Sequence, residues 1–309
     1  MNSLKLVSLF LEQVSDQKVL IMAGGGGAGK SWILNQIDTK DLPILNPDTY
    51  VEKDDIPLAA ASSMVNKEVE RLSSEGKPFI WDTTASKPEK VQNLIDQNYE
   101  VLMVMVYTHP FISFLSNYQR ERKLPKSAIF STWANAYGLI QEYQKMLGDN
   151  FLLYVNMRGG QFNKEVEEFD KAVQKGPRAV KSFLDDLISK DPEHFTSTFS
   201  KPFSIEDPQA KEQFNTEIQN LDIDPEDESM MKQLKRHFMK KWDKDGVGPG
   251  EKSMETKRKA ILRSRDKRDS RYLSDIENMV KKLTSPKFRE LLQSESIGNI
   301  KSKVNQFLK

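Results

Sequence analysis

Short apolar runs alternate with stretches of helical periodicity through the first half of the chain. Lys18–Ala23 (KVLIMA), Pro43–Leu45, Pro78–Trp81 (PFIW), Val101–Tyr107 (VLMVMVY) and Phe151–Val155 (FLLYV) read as strands. Residues 30–38, 60–75, 87–97, 110–121 and 129–147 read as helices between them. Strands alternating with helices predict βαβ units, hence an α/β fold with a parallel sheet covered on both faces. One helix start is written out in detail: Ser86 as cap, Pro88 in the first turn and Glu89 three residues after the cap. At the N-terminus Leu4, Val7, Leu11 and Val14 recur at helical spacing, with only Lys5 before most of them. That pattern predicts an amphipathic helix and not a signal peptide.

Past Asn156 the character changes. Gly159 and Gly160 interrupt the chain, and charged helical sequence follows. Two regions are expected, residues 1–158 as the α/β part and residues 159–309 as a mostly α-helical, charged C-terminal region. Within the latter, 231–242 and 251–309 read as Lys/Arg-rich helices separated by Gly246, Gly248, Pro249 and Gly250. Asp243-Lys244-Asp245-Gly246-Val247 resembles a phosphatase or calcium-loop motif only superficially. No apolar strand precedes it, so it reads as a loop between helices.

Charge sharpens this division. The formal net charge is +1. Residues 1–156 carry 15 basic and 18 acidic side chains, residues 161–230 carry 8 and 17, and residues 231–309 carry 22 and 10. An acidic connector is therefore followed by a basic tail. Lys257–Arg271 alone (KRKAILRSRDKRDSR) holds eight basic residues in fifteen, enough to track the phosphates of a nucleic acid. No apolar run approaches the roughly 20 residues of a membrane span. Cysteine is absent and the three histidines are scattered, which excludes disulfides and thiolate chemistry and leaves no zinc-ligand spacing. A reducing, cytoplasmic setting is expected.

The densest chemistry lies in Gly24-Gly25-Gly26-Gly27-Ala28-Gly29-Lys30-Ser31, which fits G-x-x-x-x-G-K-[ST]. Glycines let successive backbone N–H groups turn toward phosphate oxygens with no Cβ in the way. Lys30 is expected at the β- and γ-phosphates and Ser31 on Mg²⁺. An apolar run precedes the loop and a helical segment follows it, the context of a P-loop NTPase fold binding ATP.

Three further features narrow the class. Asp82 closes an apolar strand, where a carboxylate holds a Mg²⁺-bound water. Asp48, in Asn46-Pro47-Asp48, follows the second strand, where ligands bind in open α/β sheets, and it suits a base for an attacking hydroxyl. Asn-Pro-Asp is also ordinary turn chemistry. Arg120, Arg122, Lys123 and Lys126 crowd the end of one helix, where guanidinium groups can close over a transferring phosphoryl. No N-K-x-D motif occurs, and Asp82 is followed by Thr83 and Thr84 with no glutamate beside it. A small kinase fits these residues better than a GTPase or a motor.

In this order the motifs resemble the zeta-toxin and polynucleotide-kinase group of P-loop kinases over about residues 15–158. The counterparts are Gly24–Ser31, the NPD of Asp48, the WDTT of Asp82, the lid from Asn117 to Pro125 and a closing strand ending in Asn156. The resemblance implies ATP-dependent phosphorylation of a hydroxyl with Asp48 as base. It further implies that Lys30 with Arg120 or Arg122 neutralises the transition state, and that Asn156 belongs to the nucleotide site. Residues Thr49 to Lys53 lack the arginine with which zeta toxins often hold a sugar nucleotide. With the basic tail, a nucleic-acid acceptor is the first expectation, whether a polynucleotide terminus or a hydroxylated base. A sugar nucleotide or other small substrate is the second, and a nucleotide-dependent binding or assembly protein the third.

Overall fold

The computed structural model describes residues 17–54, 58–120, 124–192, 194–195, 204–224 and 228–309. The amphipathic helix expected near the N-terminus lies outside the described residues.

The chain begins with β1 (Lys18–Ala23), turns through the glycine loop into the short α1 (Lys30–Leu34) and reaches β2 (Ile44–Leu45). It continues through α2 (Pro47–Asp54) and α3 (Leu58–Ser74) to β3 (Phe79–Thr83). Next come α4 (Pro88–Asp96), β4 (Glu100–Tyr107), α5 (Pro110–Tyr118), α6 (Lys126–Tyr137), α7 (Ile140–Leu147) and β5 (Phe151–Val155). The strands form one parallel sheet in the order β2-β3-β1-β4-β5, with Val19 beside Phe79 on one side and Val101 on the other. Three positions moved from expectation. The helix expected over 129–147 is two helices that meet at Gly138 and Leu139. Lys87, not Ser86, is the cap of α4, in extended backbone without a side-chain cap bond; Ser86 lies too early and accepts from Thr84 Oγ1 at 3.4 Å. The Asn-Pro-Asp segment opens a helix: Pro47 takes its first position, and Asn46 Oδ1 accepts from the Asp48 N–H at 2.8 Å.

Period-two alternation in β1 and β4 divides the core. Val19, Ile21, Val101, Met103, Met105 and Tyr107 face one cluster with Phe111, Phe114, Trp133 and Tyr137. Leu20, Met22, Leu102, Val104 and Val106 face the other with Ile33, Leu34 and Ile37. The chain leaves β1 toward one edge and, after β3, crosses to the far side of β1. The carboxyl end of β1 therefore sits at the topological switch, where α/β sheets bind ligands.

The remaining helices are α8 (Asn163–Lys175), α9 (Pro177–Lys190), α10 (Pro208–Ile218), α11 (Glu228–Asp245), α12 (Glu251–Leu283), α13 (Pro286–Leu291) and α14 (Ile297–Phe307). They supply both faces of the sheet. Tyr272, Ile276, Met279 and Val280 of α12 and Phe288 of α13 enter the first cluster, and Ile300, Val304 and Phe307 of α14 enter the second. Residues 294–295 cover the outer edge of β5, where the Val155 N–H donates to Ser294 Oγ at 3.0 Å and the Glu295 N–H to the Leu153 carbonyl at 2.7 Å. Residues 205–261 build their own cluster around Phe214, Leu234, Phe238 and Met254. Helix α12, about 50 Å long, contributes to both cores. Asp243 and Asp245 sit in the last turn of α11, and Gly246, with φ of 67°, ends it. Among the described residues no helix is long and apolar enough to cross a membrane. The architecture is a P-loop NTPase fold, a parallel sheet flanked by helices, followed by a mostly α-helical charged C-terminal region.

Candidate active site

The glycine loop follows β1 and is held from outside. Gly24, with φ of 143°, passes so close to β4 that a Cβ would lie 2.5 Å from the Val106 carbonyl oxygen. Gly29, with φ of 95°, would place one 2.4 Å from Asn156 Nδ2. Both positions exclude side chains sterically and conformationally. The loop carbonyls are occupied by surrounding donors: Ser113 Oγ bonds to Gly26, Arg158 Nη2 to Gly27 at 3.2 Å and Asn156 Nδ2 to Ala28 at 2.8 Å. Tyr137 Oη accepts from the Gly25 N–H at 3.1 Å and donates to the Val106 carbonyl at 2.7 Å. Among the described residues nothing accepts from the N–H groups of Gly26, Gly27, Gly29, Lys30 and Ser31. Five unsatisfied donors in one turn, with their carbonyls turned away, make an anion receptor.

Lys30 Nζ donates to the Gly24 carbonyl at 3.0 Å and lies 3.6 Å from Asp82 Oδ1. Asp82, in β3, is 5% exposed and accepts from Asn46 Nδ2 at 2.9 Å. Burial pushes its carboxyl above the usual carboxylate range; Lys30 opposes that shift, the Asp48 charge adds to it and Arg120 lowers it. Asn46 thus links two acids, since the same side chain receives the Asp48 N–H and binds Asp82.

Gly26–Ser31, Asp48, Asp82 and Arg120 line one cavity of about 920 Å³. Gly24, Gly25 and Asn156 stand behind it as supports of the loop. Arg122 lies outside the described residues. Asn117 pairs with Leu124, its Nδ2 donating to the Leu124 carbonyl at 3.1 Å and its Oδ1 accepting the Leu124 N–H at 3.0 Å. Ser31 and Asp82, on the same wall, suit a Mg²⁺ ion that takes most of its ligands from phosphates and water. Among the described residues no three His, Cys, Asp or Glu side chains converge to cage a metal without such help.

Sequence reasoning missed four contributors. Lys87 and Lys90 line the cavity with Ser62 and Asn66. Lys90 Nζ donates to Asn66 Oδ1 at 2.6 Å and lies 5.9 Å from the Trp81 ring centre. Burial lowers its pKa and the neighbouring Lys87 charge lowers it further. Arg158, likewise lowered by burial and then by Arg120, clamps the loop two residues after Asn156. Tyr137 carries no motif at all. Only the lysines had a signal, two cations three residues apart just after the WDTT strand. Among the described residues, none of the basic tail lines the cavity.

No protein-family model matches the sequence, nor does any curated protein. Among solved structures, the AvrRxo1-ORF1:-ORF2 complex with ATP is similar at 14% identity and a TM-score of 0.38. That similarity covers 49% of this chain and 63% of the other, so the chain spans less than two thirds of that neighbour's length. A structure from the PezAT chromosomal toxin-antitoxin system of Streptococcus pneumoniae is similar at 20% identity and a TM-score of 0.37, covering 46% of this chain and 70% of that one.

Proposed function

We propose that the chain is an ATP- and Mg²⁺-dependent kinase of the zeta-toxin and polynucleotide-kinase group, transferring the γ-phosphate to a hydroxyl. The observation that carries this reading is the set of five unpaired loop N–H groups beside Lys30, in one cavity with Asp48 and Asp82. Lys30 exchanges its Asp82 contact for the β- and γ-phosphates. Ser31 and Asp82 are the residues that would hold Mg²⁺, which would supply positive charge to the phosphate oxygens. Asp48 accepts the proton of the acceptor hydroxyl as its oxygen attacks the γ-phosphorus. The bond to the bridging oxygen breaks, and ADP departs with Arg120 over the developing charge. Arg122 is the alternative for that last role.

Lys87 and Lys90 give the acceptor end of the cavity a positive wall, which supports an acceptor that itself carries phosphate. Two such acceptors have support. The basic sequence of α12 favours a nucleic acid, either a terminal sugar or a hydroxylated base. The cavity lining, which among the described residues comes from the α/β part alone, favours a sugar nucleotide or other small phosphorylated compound. Purified protein with γ-labelled ATP, offered oligonucleotides, nucleotides and sugar nucleotides, tests the reading. Transfer to at least one class, lost in Asp48→Asn, is expected. Nucleotide binding with no transfer to any, and a cellular effect intact in Asp48→Asn, would instead indicate a nucleotide-dependent assembly protein.

A further inference from the structure

The cavity accounts for one side of the phosphate loop. Asp48, Asp82, Lys87 and Lys90 all come from β2, β3 and the helices that follow them, on one side of β1. A nucleoside triphosphate whose γ-phosphate faces that end leads its nucleoside the other way, past Ser31 toward β4 and β5. Trp32 stands there, directly after Ser31 and 45% exposed; among the described residues no other aromatic side chain is as exposed. Its ring stacks on Tyr154 of β5, with centroids 6.0 Å apart and planes 22° from parallel. The segment carrying Tyr154 is tied to the phosphate loop within four residues. Asn156 bonds to the Ala28 carbonyl and Arg158 to that of Gly27, with Arg158 Nη2 4.0 Å from where a Cβ on Gly29 would lie. A large flat ring is thus backed by a second ring and lies one residue beyond the last unpaired loop N–H.

We propose that Trp32, backed by Tyr154, is the platform on which the nucleobase of the bound triphosphate stacks, an inference that rests on the nucleotide reading above. Stacking is tolerant of base identity, because every base offers a π-face, so the platform contributes affinity and orientation without selecting the base. The triphosphate is then gripped at one end by the loop amides and at the other by the ring, which fixes the γ-phosphorus toward Asp48.

The test is calorimetric titration of the full chain with Mg²⁺-ATP and, separately, with Mg²⁺-tripolyphosphate, which has no base. Trp32→Ala is expected to weaken ATP binding about tenfold and leave tripolyphosphate binding unchanged, with Trp32→Phe close to the unaltered protein. Equal ATP affinity in Trp32→Ala and the unaltered protein overturns the proposal. So does equal weakening of both ligands, which assigns Trp32 to the loop's own shape. If the unaltered protein binds neither ligand, the nucleotide reading itself fails and takes this inference with it.

Discussion

At the carboxyl ends of β1, β2 and β3, polar side chains converge. In the helical unit of residues 205–261 it is apolar side chains that do so. Around the cavity a lysine, two aspartates and an asparagine sit within hydrogen-bonding or ion-pair reach of one another, at the expense of burying Asp82 where its charge is disfavoured. In the helical unit Phe214, Leu234, Phe238 and Met254 fill the core, and the buried carboxylate Glu217 is satisfied locally. It accepts the Gly250 N–H at 2.9 Å and Gln213 Nε2 at 3.0 Å, holding the loop between α11 and α12. One region keeps a buried carboxylate whose charge is disfavoured; the other satisfies its buried carboxylate within itself. Residues of the first should therefore matter to turnover more than to folding, and residues of the second the reverse.

The largest test of that contrast sets Lys30→Ala and Asp48→Asn against Phe238→Ala. The site variants are expected to lose about 10³-fold or more in transfer with little change in melting temperature. Phe238→Ala, which empties a fully buried ring site, is expected to cost about 3–5 kcal/mol of the helical unit's stability while transfer below its transition persists. Loss of transfer in folded Phe238→Ala would break the contrast and make the helical unit part of the catalytic machinery.

A second test concerns α12, which belongs to both regions. Ile276 is fully buried in the sheet's first cluster, so Ile276→Ala should cost about 2–5 kcal/mol and lower the melting temperature of the α/β part, read by circular dichroism. Removing residues 231–309 would strip α12 and α14 from the two faces of the sheet, so such a truncation is expected to be insoluble. A soluble, active truncation would show that the helices only decorate the fold.

Next in size is the positive wall at the acceptor end. Lys87→Ala and Lys90→Ala are expected to raise the acceptor KM about tenfold each, leaving the ATP KM unchanged. A change in the ATP KM instead would move these lysines to the nucleotide's side of the cavity.

Legibility in the sequence followed the same contrast. That the glycine loop, Asp48 and Asp82 would come to one cavity was readable because the signals are local: a backbone that must tolerate positive φ, and acids at the ends of apolar runs. The central strands β1 and β4 were the most readable, because burial on both faces leaves unbroken apolar sequence, as in VLMVMVY. What escaped depends on partners far along the chain. Tyr137 is an ordinary helical tyrosine until Gly25, 112 positions away, donates to it. Ile276, Met279 and Val280 give a helix in charged sequence an apolar stripe, but no stripe names the surface it will cover. Lys90, one of two cations three residues apart, gains a place only when Asn66 and Trp81 are brought beside it. The expected Ser86 cap failed for a local reason: Lys87, one residue later, is the last extended residue before Pro88.

The smallest expected effect is also the sharpest for the disfavoured carboxylate, because it reverses the usual sign of a mutation. Burial raises the Asp82 carboxyl above its unfolded value despite Lys30. Burying Asp82 therefore costs stability, a cost that grows as the pH rises above the unfolded pKa and is complete above the folded one. Below the unfolded pKa of about 3.9 the group is protonated in both states and the cost vanishes. Asp82→Asn keeps an acceptor for Asn46 and removes the charge, so it should melt a few degrees higher than the unaltered protein at pH 7–8 while losing Mg²⁺-dependent transfer. The gap should close as the pH falls toward 4. A variant less stable than its parent at neutral pH would mean that the Lys30 pair outweighs desolvation. Asp82 would then belong with Glu217 as a group satisfied within the fold, and the contrast between the two regions would lose its electrostatic basis.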